Sequence, residues 1–307
     1  MKKLIVTFIL LAIIGLIYMN YEKIIRFSMY NIIYKEDFVR GDANQYKKDN
    51  DWLFVQKIDN FSPNNKQDIL NIFYTGLNNG WDEFTFFCPE EYKNCTTDVE
   101  EITDNSTLLS NINNYISTFN SYNVINVNIN SFGRVNIKVD KLYDNDNISI
   151  ITKKIDEIYN EITTEEMSDY DKIKVFHNYI INRTTYDEER SSQIKEGGIT
   201  SLKHPSNLAY GPLFTGKAIC GGYTDVMALF LDKLNLPNYK ISSAKHIWNF
   251  VYIDGSWKHL DLTWDDPVLS NGENTLTYTF FLLSTNELRE KADGQHDYST
   301  EIFIEAK

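Results

Sequence analysis

The sequence runs to 307 residues, 42% hydrophobic and 14% aromatic, enough apolar material for a sizeable core and too much for disorder throughout. Its 43 acidic against 30 basic residues give a net charge of -13, the wrong sign for gripping phosphates, so nucleic acid is not an expected partner.

The chain opens Met1-Lys2-Lys3 and then runs apolar from Leu4 to Met19, broken only by Thr7 and Gly15. A positive start before such a run is an export signal. Asn20-Tyr21-Glu22-Lys23 offers no small-x-small cleavage pattern, which favours an uncleaved single-pass anchor over residues 1–22; a cleaved signal is the alternative. The apolar run would cover roughly 24 Å of helix, slightly short of a hydrocarbon core of about 30 Å. Lys2 and Lys3 favour an internal N-terminus, so the body is expected at the cell membrane, facing outward. Of the 3 cysteines, Cys88 and Cys95 are near enough in sequence either to bridge or to stay as independent thiols. Cys220 stands alone.

Tyr21 to Asp59 shows no clear period and reads as a stalk or the start of a domain. Asn65 to Gly80 carries Ile69, Leu70, Ile72, Phe73 and Leu77 at helical positions, with Gly80 as a stop. Glu83–Phe87 reads as a strand and Ser106–Phe119 as a helix. Tyr122–Asn130 is strand-like but changes phase once, which a bulge at Val124-Ile125 would explain. Ser131-Phe132-Gly133 turns it into the cleanly alternating Arg134–Val139. Helices are expected over Ser149–Glu161 and Ser168–Asn182, the second capped by Ser168. Thr184–Leu202, polar and containing Gly197-Gly198, reads as an exposed loop. Residues 23–160 thus form an α+β region without a visible chemical motif, and residues 161–307 a second domain.

Chemistry begins at Lys217-Ala218-Ile219-Cys220-Gly221-Gly222-Tyr223. An apolar stripe of Val226, Met227, Phe230, Leu231 and Leu234 follows, so Cys220 opens a buried helix that ends before Pro237. The positive end of that helix stabilises a thiolate. Gly221 and Gly222 would let a substrate backbone approach. Lys245–Ile253 and Ser256–Thr263 are strands joined by the tight-turn pair Asp254-Gly255. That turn sets Ile253 opposite Ser256, hence Trp248 opposite Asp261 and His246 opposite Thr263. His246 and Asp261 then become diagonal neighbours on one face, within side-chain reach. An imidazole, a carboxylate and a thiol from separate segments are what a cysteine nucleophile needs.

Three blocks in this order carry a resemblance: Gly216–Tyr223, His246-Ile247-Trp248-Asn249, and Trp257–Pro267 with its Asp261-Leu262-Thr263-Trp264-Asp265-Asp266 run. Together they resemble the bacterial transglutaminase-like superfamily over roughly Ser168 to Asp297. The resemblance implies a papain-like α+β core, with the nucleophile-bearing helix packed on an antiparallel sheet and a Cys220, His246, Asp261 triad. It also implies that Thr279–Ser284 is a closing strand. The expected enzyme forms a Cys220 thioester on a peptide or protein amide; water resolves it as a protease or deamidase does, and an amine gives cross-linking. The oxyanion donors would be the Cys220 N–H, with Tyr210 and Asn207 as candidates for a second. Asp265 and Asp266 are read as structural, and Trp248 and Trp264 as core residues or lining of the substrate cleft. His259, on the same face as Asp261, is either packed or a partner to it. His177, His204 and His296 lack metal-ligand spacing with one another and with the cysteines, so neither metal nor cofactor is expected. The rival reading is a non-catalytic surface module for binding or wall assembly that keeps the fold.

Overall fold

The computed structural model describes residues 2–28, 41–104, 106–197, 201–267, 275–291 and 293–307. The apolar run forms helix α1 (Lys2–Met19). Its 18 residues span about 27 Å. Among the described residues no helix is long and apolar enough to cross a membrane, so the expected anchor gains no support. A second short helix, α2 (Tyr21–Ser28), occupies the start of the stretch expected to be without period. Residues 29–40 of that stretch, and Gly198 of the later loop, lie outside the described residues.

The α+β region is built as its patterns suggest, with one addition. Helix α3 (Lys66–Asn78) is capped by Asn65, whose side chain accepts from the Asp68 N–H. Strand β1 (Glu83–Phe87) follows. Then comes an unexpected helix, α4 (Cys95–Asp104), whose apolar content is only Cys95, Val99 and Ile102 on its buried face. A Cys88–Cys95 disulfide, with Cα atoms 5.5 Å apart, ties this helix to the end of β1. Helix α5 (Ser106–Asn114) is shorter than expected and gives way to a 3-10 turn at Thr118–Asn120. Strands β2 (Tyr122–Ile129) and β3 (Arg134–Lys141) pair antiparallel, with the register slip between Tyr122 and Val124, next to the expected bulge. The sheet order is β1-β3-β2.

Helix α6 (Asn145–Ile162) is capped by Asp144 and α7 (Asp169–Ile181) by Ser168. The supposed loop at Thr184–Leu202 is structured in part, as strand β4 (Thr185–Tyr186) and helix α8 (Glu188–Lys195) capped by Asp187. A short parallel pairing joins β4 to β5 (Lys217–Ala218). Helix α9 (Cys220–Lys233) begins at the free cysteine. Strands β6 (Asn238–Ser242), β7 (Ile247–Ile253) and β8 (Ser256–Leu260) form an antiparallel sheet in that order. Asp254 and Gly255 take positive φ of 51° and 76°, which lets so tight a turn close, and Ile253 pairs with Ser256.

Two expectations after the hairpin fail. Strand β8 stops at Leu260, because Asp261 turns its carboxylate back onto the following backbone. Thr279–Ser284 is not a strand: Leu282 has φ of 52°, outside extended backbone, and only Leu283 bridges, to His259. Helix α10 (Thr285–Lys291) follows.

Strand β7 explains how the sheet is buried on both faces. Trp248 and Phe250 join a cluster with Trp52, Phe73, Phe84, Tyr115 and Ile137, while Val251 and Ile253 join one with Ile155, Phe176, Val226 and Phe230. Each cluster therefore draws on residues from both sides of position 160. Helix α9 is bolted to the sheet by polar contacts as well as by packing. Thr224 Oγ1 donates to the Ile247 carbonyl at 2.9 Å, and Asn249 Nδ2 donates to the Thr224 carbonyl at 2.9 Å. Buried Lys240 of β6 meets Asp225 of α9 at 2.6 Å, and the Tyr143 hydroxyl donates to the same carboxylate at 2.6 Å. Replacing Asp225 by Ala strands the Lys240 ammonium away from water and is expected to cost about 3–5 kcal/mol in denaturant unfolding. The paired change Asp225→Leu with Lys240→Met is expected to cost less than the single one, since neither charge then remains.

Candidate active site

Cys220 is the first residue of α9, and no side chain caps that helix at Ile219. Its N-terminal N–H groups therefore lack intrahelical partners, as the first turn of any helix does. The preceding backbone is held on both sides: the Asp187 N–H donates to the Ala218 carbonyl at 2.9 Å, and the Ile219 N–H to the Ser206 carbonyl at 2.8 Å. The two glycines after Cys220 turn out to serve packing. A Cβ on Gly222 would stand 2.7 Å from the Ser206 carbonyl oxygen, and one on Gly221 would stand 3.0 Å from that of Asn207. Their missing side chains make room for the 206–208 backbone.

His246 sits in the turn just before β7, with its N–H donating to Ser243 Oγ at 3.0 Å. Its Nε2 faces Asp261 Oδ2 at 2.5 Å, and the Cys220 thiol lies within electrostatic range of the ring. With Nε2 taken by the carboxylate, Nδ1 is the nitrogen left for the sulfur. Asp261 Oδ1 accepts from the N–H groups of Thr263 at 2.9 Å and Trp264 at 3.3 Å. Cys220, His246 and Asp261 are thus brought together, with His246 just before β7 and Asp261 just after β8 rather than as diagonal neighbours within the two strands.

Burial alone would push the His246 imidazole down, but the charge and hydrogen bond of Asp261, with a smaller share from Cys220, outweigh it and raise it to about 10. Burial likewise opposes the charged form of Asp261, yet His246 and His296 together hold the carboxyl well below its usual range.

The other expected site residues divide. Trp248 is buried, at 1% exposure, and stacks on the His246 ring at 5.7 Å, so it is a wall of the core rather than of an open cleft. Trp264 is half-buried and meets the same ring edge-on at 6.3 Å. Asn207 lies beside Gly221, and its Oδ1 accepts from Arg190 Nε at 2.8 Å. Tyr210 packs on Phe214 at 4.7 Å. His259 is packed: its Nδ1 accepts from Trp248 Nε1 at 3.0 Å, and burial pushes it down to about 3. Asp265 faces His177 Nε2 at 3.1 Å, both fully buried. Asp266 accepts from the Tyr223 hydroxyl, and burial raises its carboxyl to about 6.

Two residues were not expected at the site. Tyr186, inside the supposed loop, is carried toward Cys220 by the pairing of β4 with Ala218 and lies within electrostatic range of it. His296 places its Nε2 2.8 Å from Asp261 Oδ2, across 35 residues of sequence. Nothing local announces that contact. The only local signal is Asp293, three positions earlier, whose Oδ2 lies 2.7 Å from His296 Nδ1. Donor atoms of His246, Asp261 and His296 lie within 4.8 Å of one another. The separations of 2.5 and 2.8 Å are hydrogen-bond lengths, whereas two ligands on one tetrahedral cation stand roughly 3.3 Å apart. The grouping is a hydrogen-bonded network.

Scans against family models and curated proteins return no match. Among solved structures, a TGase is similar at 20% identity and a TM-score of 0.35, over 47% of this chain and 44% of that one. A candidate cysteine protease from Cytophaga hutchinsonii is similar at 15% identity and a TM-score of 0.29, over 50% of this chain and 65% of that one. The chain thus spans less than half the length of the first neighbour and just under two thirds of the second. At such TM-scores the superpositions carry no argument, and the roles below rest on the side chains.

The raised imidazole and the lowered carboxyl make stability depend on pH at both ends. His246 contributes fully below its ordinary value of 6.5, and that contribution is lost as pH climbs through about 10. Asp261 contributes above its ordinary value of 3.8, and that contribution is lost as pH falls through its lowered one. Unfolding free energy measured over a pH series is expected to fall from near neutrality toward pH 10, and Asp261→Asn should flatten that alkaline decline.

Proposed function

We propose that the chain is a transglutaminase-like cysteine enzyme acting on peptide or protein amides through a Cys220 thioester. The observation that carries this reading is His246 set 2.5 Å from the Asp261 carboxylate and within electrostatic range of the Cys220 thiol. With the Cys220 proton already on His246 Nδ1 as a thiolate–imidazolium pair, the sulfur bonds to the carbonyl carbon, whose π pair moves to oxygen. Collapse of that adduct breaks the C–N bond, and the proton on Nδ1 leaves with the amine. Water then adds to the thioester, gives its proton to Nδ1, and releases the acid as the C–S bond breaks. An attacking amine would instead leave a new amide. Asp261 keeps Nε2 as the donor and stabilises the imidazolium that each step forms.

The Cys220 N–H is the first oxyanion donor. Asn207 is favoured over Tyr210 for the second, because Arg190 holds its carbonyl oxygen and turns its NH2 the other way. The Cys88–Cys95 disulfide supports an extracytoplasmic setting, since such bonds persist where the medium is oxidising.

The test is to incubate the purified chain with a glutamine peptide and a labelled amine, and to read the products by mass. Deamidation, cleavage and amine incorporation have different masses. Cys220→Ala should abolish every product, and His246→Ala should slow product formation about 10²–10⁴-fold. Should iodoacetamide at neutral pH modify Cys220 no faster than a free thiol, with His246→Ala changing nothing, the binding-module reading replaces this one.

A further inference from the structure

Asp261 holds two histidines. Besides His246 Nε2 at 2.5 Å, its Oδ2 faces His296 Nε2 at 2.8 Å. His296 is itself fixed at the far side, where Nδ1 lies 2.7 Å from Asp293 Oδ2. Both of its ring nitrogens therefore face carboxylate oxygens, which accept and do not donate when ionised, so the ring meets both neighbours only as a donor. Asp293 is in turn anchored by the Gln295 and His296 N–H groups, at 2.8 and 3.0 Å from its Oδ1. The ring is boxed by Phe280 at 4.8 Å, Trp248 at 4.7 Å and Trp264 at 5.1 Å.

We infer that His296, set by Asp293, is a positioning residue for the Cys220 site: it keeps the Asp261 carboxylate ionised and its Oδ2 turned to His246. This inference rests on the reading of Cys220, His246 and Asp261 as a triad and adds a second arm to it. In the Cys220–His246–Asp261 arrangement alone, a carboxylate at 2% exposure would have one ring donor and two backbone N–H groups. A second ring donor fills the remaining lone pair on the oxygen that orients the base. The charged and titratable groups around His296 are His246, Asp261 and Asp293 in direct reach. Beyond them stand His259, which is hydrogen-bonded to Trp248, Arg289 beside His259, and Lys291 over the outer Phe280 ring.

Without the His296 donor, Asp261 should take up a proton at higher pH, and His246 then loses the partner that holds it charged against the thiolate. The test is the pH profile of Cys220 alkylation by iodoacetamide on the full chain. Wild type, His296→Leu, His296→Gln and Asp293→Asn are compared, each checked for folding by circular dichroism. His296→Leu should move the acid limb of the profile to higher pH and lower the rate there about ten- to a hundredfold, the worth of one hydrogen bond to a charged group. His296→Gln, which can still donate to Oδ2, should restore most of the loss. Asp293→Asn should move the limb the same way by less, and decides the matter if His296→Leu fails to fold. A profile unchanged in folded His296→Leu, or unchanged in Asp293→Asn where His296→Leu does not fold, would overturn the inference. So would His296→Gln behaving as His296→Leu does. In either case a fast, His246-dependent wild-type reaction would still leave the triad standing. A wild-type thiol no faster than a free one would overturn both.

Discussion

The structure around Cys220 is organised by one buried negative charge. Moving a carboxylate out of water costs several kcal/mol even after relaxation, and a single ion pair seldom returns that much. Asp261 therefore has to gather donors on both oxygens, and it does so from three separate stretches. Its own loop supplies the Thr263 and Trp264 N–H groups, the turn before β7 supplies His246, and the segment after α10 supplies His296. A hydrogen bond to a charged group contributes about 1.5–3 kcal/mol, so the set together can offset the desolvation where one alone could not. The consequence for His246 is geometric. Its Nε2 is committed to the carboxylate, which leaves Nδ1 for the thiol.

That arrangement would be of little use if the sulfur could wander. Cys220 belongs to a helix docked on the same strand that His246 precedes, and the docking is specific in register because Thr224 and Asn249 bond across it. The Lys240–Asp225 pair adds a second fixed point one residue further along α9. Cys220 is thereby positioned by a helix and His246 by a turn one residue from a strand, which limits how far the two can drift apart. The 205–208 backbone closes the arrangement from the other side, and it can do so only because positions 221 and 222 carry no side chain.

Much of this was legible because it follows from short-range rules. The Asp254-Gly255 turn fixes the hairpin register, and alternation along β7 assigns Trp248 and Val251 to opposite faces. The start of α9 at Cys220 follows from the apolar stripe behind it. What was not legible depends on distant partners. Pattern alone carried β8 through Asp261 to Thr263, because nothing in the sequence says that the Asp261 carboxylate will fold back on its own backbone. Thr279–Ser284 looks extended by composition, yet Leu282 adopts a left-handed conformation that no propensity for strand predicts. His296 was judged by its spacing to other ligands, and its contact with Asp261 spans 35 residues without a periodic trace. Glycines 221 and 222 also answer to the Asn207 and Ser206 carbonyl oxygens, which come from a segment the local sequence does not reveal as a neighbour.

The α+β region, silent in chemical motifs, has a physical role in the same argument. An antiparallel sheet can leave one face to water, but β7 buries large aromatic residues on one side and aliphatic residues on the other. The aromatic side, with Trp248, Phe250 and Tyr239, is covered by Trp52, Tyr115 and the residues of α3 and β1. Trp248 is the residue that stacks on His246, so the cover of the base is itself held down by the N-terminal region. On the other side Tyr143, at the end of β3, reaches both the Asp225 carboxylate of α9 and the Ala209 N–H of the loop beneath the nucleophile. The segment after residue 160 holds Cys220, His246 and Asp261. The segment before it supplies packing around them, and for that task apolar volume and a few buried hydrogen bonds suffice, which is why it shows no chemical motif.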